Sequence, residues 1–141
     1  MTRAIGLGIS IACLTVLLIA AGLTPNASGV GSHRGLGLQS CALLERAGMP
    51  CPSCGMTTSF TWFAHGNLIA SFYVQPMGML LALACACTVW AGAYVAISGK
   101  PVHRLLAMLP AGRLLFWILG FFILAWAWKI LIRYQGWDGW Q

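Results

Sequence analysis

Three apolar runs, Ala4 to Leu23, Pro76 to Ile97 and Leu114 to Ile132, decide what this chain can fold into. Each is close to the roughly 20 residues that a helix needs to cross a hydrocarbon core about 30 Å thick. In hydrocarbon every backbone N–H and C=O must find its partner inside the protein, so such runs fold as helices. The remainder cannot build a water-facing shell. Hydrophobic residues make up 60% of the chain and charged ones 7%, against about 25% charged in a soluble domain. The sequence therefore predicts a single all-α integral membrane domain over residues 1–141, with three transmembrane helices and the lipid bilayer as its first partner.

Thr24-Pro25-Asn26 and Ser98-Gly99-Lys100-Pro101 punctuate the runs. Arg3 followed by the first run resembles a secretory signal. The run exceeds the roughly 7–15 residues of a signal core, and no clear small-x-small cleavage site precedes Pro25, so it reads as an uncleaved anchor.

Eight Lys and Arg stand against two acids, Glu45 and Asp138, for a formal charge of +6. The cations are scattered singly near the ends of apolar runs, where they meet lipid headgroups. No basic stripe with interleaved aromatics exists, which argues against nucleic acid as a partner. Two acids, no Ser-His-Asp set and no phosphate-binding glycine loop set aside hydrolases and kinases. Trp117 near the start of the third run, and Trp126, Trp128, Tyr134, Trp137 and Trp140 toward its end, read as interfacial belts. Lys129 and Arg133 read as snorkelling cations beside them. Val102, Leu105, Leu106 and Leu109 fall at helical spacing with His103 and Arg104 off the stripe, predicting an amphipathic surface helix. Discounting Arg46 in mid-loop and Lys129 within a helix, the cation balance orients the N-terminus inside a bacterial cytoplasmic membrane, with the cysteine motif outside.

The segment 38–75 is neither a clean span nor a clean loop. Before it, Ala27 to Gly37 is rich in Gly and Ser and predicts irregular surface structure. Leu38 to Ala47 predicts a short helix ending near Gly48. Pro52 to His65 predicts a second, stopped by Gly66, and Asn67 suits the N-cap of a third that runs toward the second span and kinks at Pro76. The Pro52–His65 helix is too short to cross the bilayer and too apolar to leave it. It is expected to be a re-entrant or interfacial helix carrying the cysteine motif.

That motif, Cys51-Pro52-Ser53-Cys54, holds the best candidates for chemistry. A residue before proline avoids the helical region, and proline favours the first helical position. Cys51 is then expected at an N-cap, with the amides of Ser53 and Cys54 aimed at its sulfur and favouring a thiolate. On this reading Cys51 attacks and Cys54 resolves, as a thiol–disulfide pair at the membrane interface. Two alternatives stand beside it. In one, the motif is structural, within a non-catalytic membrane subunit. In the other, Cys51 and Cys54 hold a metal completed by Cys41 or His65. No second C-x-x-C is present, and Gly55 stands where a c-type haem needs histidine, so no cofactor is expected. Whether the chain is an enzyme is left open. Cys13, Cys85 and Cys87 lie within spans and read as packing residues. Gly78, Ala82 and Ala86, and Gly55 with Ser59, form small-residue stripes that let helices approach closely, within this chain, with a second copy or with other membrane proteins.

Cys51-Pro52-Ser53-Cys54-Gly55-Met56-Thr57, followed by Gly66-Asn67, Ala70 and Gln75-Pro76, resembles a family of small bacterial membrane proteins, domain of unknown function 2752. That family shows C-P-x-C-G-x-T, then G-D-x-x-x-A-x-x-x-x-N-P. The resemblance spans roughly Cys41 to Leu83 and implies a membrane protein without assigning an activity. Asn67 stands where the family usually has aspartate, Gln75 where it has asparagine, and Thr58 where many members carry arginine.

Overall fold

The computed structural model describes residues 2–37, 39, 41–99 and 110–140. Six α-helices are found among them: α1 (Thr2–Gly22), α2 (Ala42–Ala47), α3 (Met56–Ala64), α4 (Leu68–Val74), α5 (Pro76–Ser98) and α6 (Ala111–Tyr134). A 3₁₀ helix, Ser32–Leu36, precedes α2. It puts ordered structure where only an irregular segment is expected, because the Ser32 hydroxyl is buried and accepts from the Asn26 amide at 3.0 Å. Helices α1, α5 and α6 are the three long and apolar enough to cross a membrane. The chain is an all-α multi-pass membrane protein. The expected surface helix from Val102 to Leu109, with His103, lies outside the described residues.

Helices α1 and α5 pack antiparallel. Gly6 lies against Val95, and the Ser10 hydroxyl donates to the Val89 carbonyl at 3.1 Å. At Gly92 a Cβ would stand 2.6 Å from the Ser10 Cβ. Lipid tails are as apolar as leucine, so helices in a bilayer gain by close packing of small residues and not by hiding oily ones. Large side chains such as Trp90, Ile97 and Phe116 accordingly point outward.

The short helices cap one end of this pair. Asn67 is the N-cap of α4 as expected, its side chain accepting from the Ala70 amide at 3.0 Å. Helix α4 stops at Val74, and extended Gln75 (φ −159°, ψ 101°) re-aims the chain into α5, with Pro76 at its first turn. Helix α3 packs against α1, α4 and α5. Ser59 and Ser71 exchange hydrogen bonds between their hydroxyls and each other's carbonyls, each at 2.8 Å. Gly78 makes room for this contact, since a Cβ there would lie 2.8 Å from that of Ser59. The result is a polar core: Thr58, Ser59, Thr61, Ser71, Gln75 and Lys129 are fully buried. In a chain bathed in lipid, the inside is where hydrogen-bonding groups find partners.

Helix α6 adds the third span, and its end is tied down by its belt residues. The Trp128 ring N–H donates to the Tyr73 carbonyl at 2.9 Å, and the Tyr73 hydroxyl donates to the Trp137 carbonyl at 2.9 Å. Lys129 does not snorkel. It is fully buried, ion-paired with Asp138, and donates to the Gly29 carbonyl at 3.0 Å. The chain reverses after α6 at Gly136 (φ 71°), which brings the Asp138 carboxylate back to Lys129 and, at 3.3 Å, to Arg133. A cation held out of water and headgroups needs such a partner.

Candidate metal centre

The cysteine motif forms a turn, not a helix start. The Cys54 amide donates to the Cys51 carbonyl at 2.9 Å, and the Met56 amide to the Ser53 carbonyl at 3.1 Å. The N-cap of α3 is Gly55, whose φ of 85° lies in the left-handed region. The helix therefore begins at Met56 and not at Pro52, and Cys51 is not its cap. Proline at position 52 fixes one dihedral but cannot carry the helix past a left-handed glycine. The Cys51 sulfur faces the Ser53 hydroxyl at 3.3 Å and the Cys54 sulfur at 3.1 Å, not a row of helix amides.

Cys41 takes the capping place instead. It is the extended N-cap residue of α2 (φ −63°, ψ 116°), with no side-chain capping hydrogen bond. The Leu44 backbone amide, with help from the Cys51 and Cys54 side chains, lowers its thiol pKa to about 7 against the opposing effect of burial. Cys54 goes the other way. Burial, followed by the neighbouring Cys51 and Cys41 side chains, pushes it up to about 12.

The three sulfurs of Cys41, Cys51 and Cys54 all lie within 4.8 Å of one another. A zinc ion in tetrahedral sulfur coordination, at about 2.3 Å from each ligand, sets the ligands about 3.8 Å apart. The Cys51 and Cys54 sulfurs, 3.1 Å apart, are closer than this, and no pair of the three exceeds 4.8 Å. A disulfide needs about 2.05 Å, and no pair among the six cysteines stands at that separation. His65 is placed elsewhere. It caps the end of α3, exposed, with Nδ1 2.8 Å from the Thr61 carbonyl oxygen.

Two clamps hold the turn. The Trp126 ring N–H reaches down from α6 to the Pro50 carbonyl at 3.0 Å, and the Gln75 amide reaches the Pro52 carbonyl at 3.0 Å. Cys51 lies between the two clamped residues. Behind the turn sits Lys129. A Cβ on Gly55 would lie 3.0 Å from its ammonium nitrogen and 2.8 Å from the Gly29 carbonyl oxygen. Gly55 is thus required twice, for its backbone conformation and for the absence of a side chain.

Residues 41–89 match the family described as Protein of unknown function (DUF2752). No curated protein and no solved structure matches the chain. The DUF2752 match opens on Cys41 and takes in all three sulfurs, α2, α3, α4 and the first part of α5. Lys129, Trp126 and Asp138 lie outside the DUF2752 segment. Sequence reasoning missed their bearing on the site, although one signal was available. A lysine within an apolar span calls for a partner, and Asp138 is one of only two acids in the chain.

Proposed function

We propose that this protein holds a thiophilic metal cation at the membrane interface on Cys41, Cys51 and Cys54. The observation that carries the proposal is the convergence of three sulfurs from two separate segments, each within 4.8 Å of the others. Sulfur donors suit Zn²⁺ or Cu⁺, whereas Mg²⁺ and Ca²⁺ take oxygen. Among the described residues no fourth Cys, His, Asp or Glu joins the group. Three protein ligands and one open position is the pattern of zinc sites that meet water or substrate. A cation also relieves an electrostatic conflict. Burial makes Cys54 reluctant to ionise, and a metal ion bound beside it lets the thiolate form.

The test is titration of reduced, detergent-solubilised protein with Co²⁺ as a spectroscopic stand-in for Zn²⁺. The expected result is an intense sulfur-to-metal charge-transfer band that saturates at one equivalent and weakens in Cys41→Ser. A spectrum of hexa-aquo cobalt alone, or a band indifferent to Cys41, contradicts the proposal.

A second reading keeps the Cys51–Cys54 pair as a thiol–disulfide couple, supported by their 3.1 Å separation. It gives Cys41 no part, which is why it ranks second. Orientation connects the two readings. With the N-terminus inside a bacterial cytoplasmic membrane, the sulfurs face the oxidising side, where a pair this close persists as thiols only while a metal holds it. An alkaline-phosphatase fusion after Gly37 that is active supports this orientation, and an inactive one opposes it. Alkylation after acid trapping, with and without chelator, then separates metal from disulfide.

A further inference from the structure

Between the end of α1, the 3₁₀ helix and the start of α3 lies a cavity of about 850 Å³, lined in part by Cys41, Cys51 and Cys54 themselves. Its lining divides by chemistry. Val16, Ile19 and Leu23 of α1 and its flank supply an apolar wall, while His33, Arg34 and Arg133 supply cationic or titratable groups. No Asp or Glu is among the lining residues. Val16 and Ile19 belong to a membrane-span helix and are exposed on it, so the apolar wall continues onto the lipid-facing surface.

We propose that this cavity binds an anionic amphiphile, a phosphate or carboxylate head on a hydrocarbon tail, entering sideways from the bilayer. Volume sets the scale: sites of about 300–1,000 Å³ hold one small molecule, not a folded partner. Charge sets the sign. Arg34 makes no ion pair among the described residues, and Arg133 shares its single carboxylate with Lys129. Cations beside hydrocarbon select a ligand that is anionic at one end and apolar at the other. The inference rests on cavity and charge; because Cys41, Cys51 and Cys54 line the same cavity, a metal held there would add positive charge beside the anionic head.

The experiment is native mass spectrometry of the full chain in detergent, with phosphatidylglycerol, oleate or phosphatidylcholine added in turn. Wild-type protein is expected to retain phosphatidylglycerol or oleate in preference to phosphatidylcholine. Preference for phosphatidylglycerol identifies a membrane lipid as the source, and preference for oleate identifies a free fatty acid. Arg34→Gln is expected to weaken anionic retention about fivefold, the value of one cation near a charged lipid. Ile19→Trp, which fills the tail end from an exposed position, is expected to lower it as well. Arg113→Gln removes the same charge near the opposite end of α6 and should leave retention unchanged. Equal retention of neutral and anionic lipid by wild-type protein overturns the proposal, as does undiminished retention in both Arg34→Gln and Ile19→Trp.

Discussion

Gly55 is the residue on which the sulfur geometry turns. Its left-handed backbone ends the cysteine turn, and its missing side chain leaves space for the Lys129 ammonium. Gly55→Ala forces a Cβ to within 2.8 Å of the Gly29 carbonyl oxygen. The expected cost is about 1–3 kcal/mol, read as a lower unfolding temperature in detergent. Lys129→Met strips the buried Asp138 of its closest partner. Breaking a buried pair from one side costs about 3–5 kcal/mol. The double variant Lys129→Met, Asp138→Asn should recover much of that loss, and a double variant no more stable than the single would show that the pair does not act as a unit. The thiols themselves differ in acidity. In metal-free, reduced protein Cys41, with its pKa near 7, should be alkylated ahead of Cys54, held near 12. The thiolate is the nucleophile, so Cys41 labelling should fall off as pH drops through about 7 while Cys54 stays protonated throughout. Mass mapping of iodoacetamide adducts at pH 6 and pH 8 checks this order, and earlier labelling of Cys54 would contradict it.

At the scale of elements, what the sequence made legible followed from what lipid demands. The bounds of α1, α5 and α6 fall within a few residues of the predicted spans, because hydrocarbon tolerates no unpaired backbone and the pattern is unbroken. The α4 cap was equally legible, since Asn67 precedes an apolar run and needs only local geometry. The start of α3 was not. Its position depends on whether Gly55 adopts a positive φ, and glycine spacing does not carry that information. The capping expectation for Cys51 fails: Gly55 is the N-cap of α3, and Cys41, at the N-cap of α2, makes no side-chain capping hydrogen bond. Asn67→Ala should cost about 1 kcal/mol of stability, and Asn67→Asp should cost little because a carboxylate caps equally well. Denaturation of the detergent-solubilised variants distinguishes the two, and an equal loss in both would remove the capping account.

For the molecule as a whole, the three spans form a frame, and the short helices at one end bring Cys41 to the Cys51–Cys54 turn. The sequence offered Cys41 or His65 to complete this group; the fold brings Cys41 to it and leaves His65 at the end of α3. Trp126 of α6 and Gln75 at the α4–α5 junction each hold one carbonyl of the turn. The polar core beneath it, from Thr58 to Ser71, fixes α3 against its neighbours. Such a frame is what a pre-organised sulfur site requires, since ligands held by packing lose little freedom on binding. The most direct test of the account is the metal-to-protein ratio of detergent-purified protein after loading with Zn²⁺ and removal of excess. The account predicts about one zinc per chain, with the metal lost from Cys41→Ser and Cys51→Ser variants that still fold. Wild-type protein that retains no zinc, or a Cys41→Ser variant that retains as much as wild type, would contradict it.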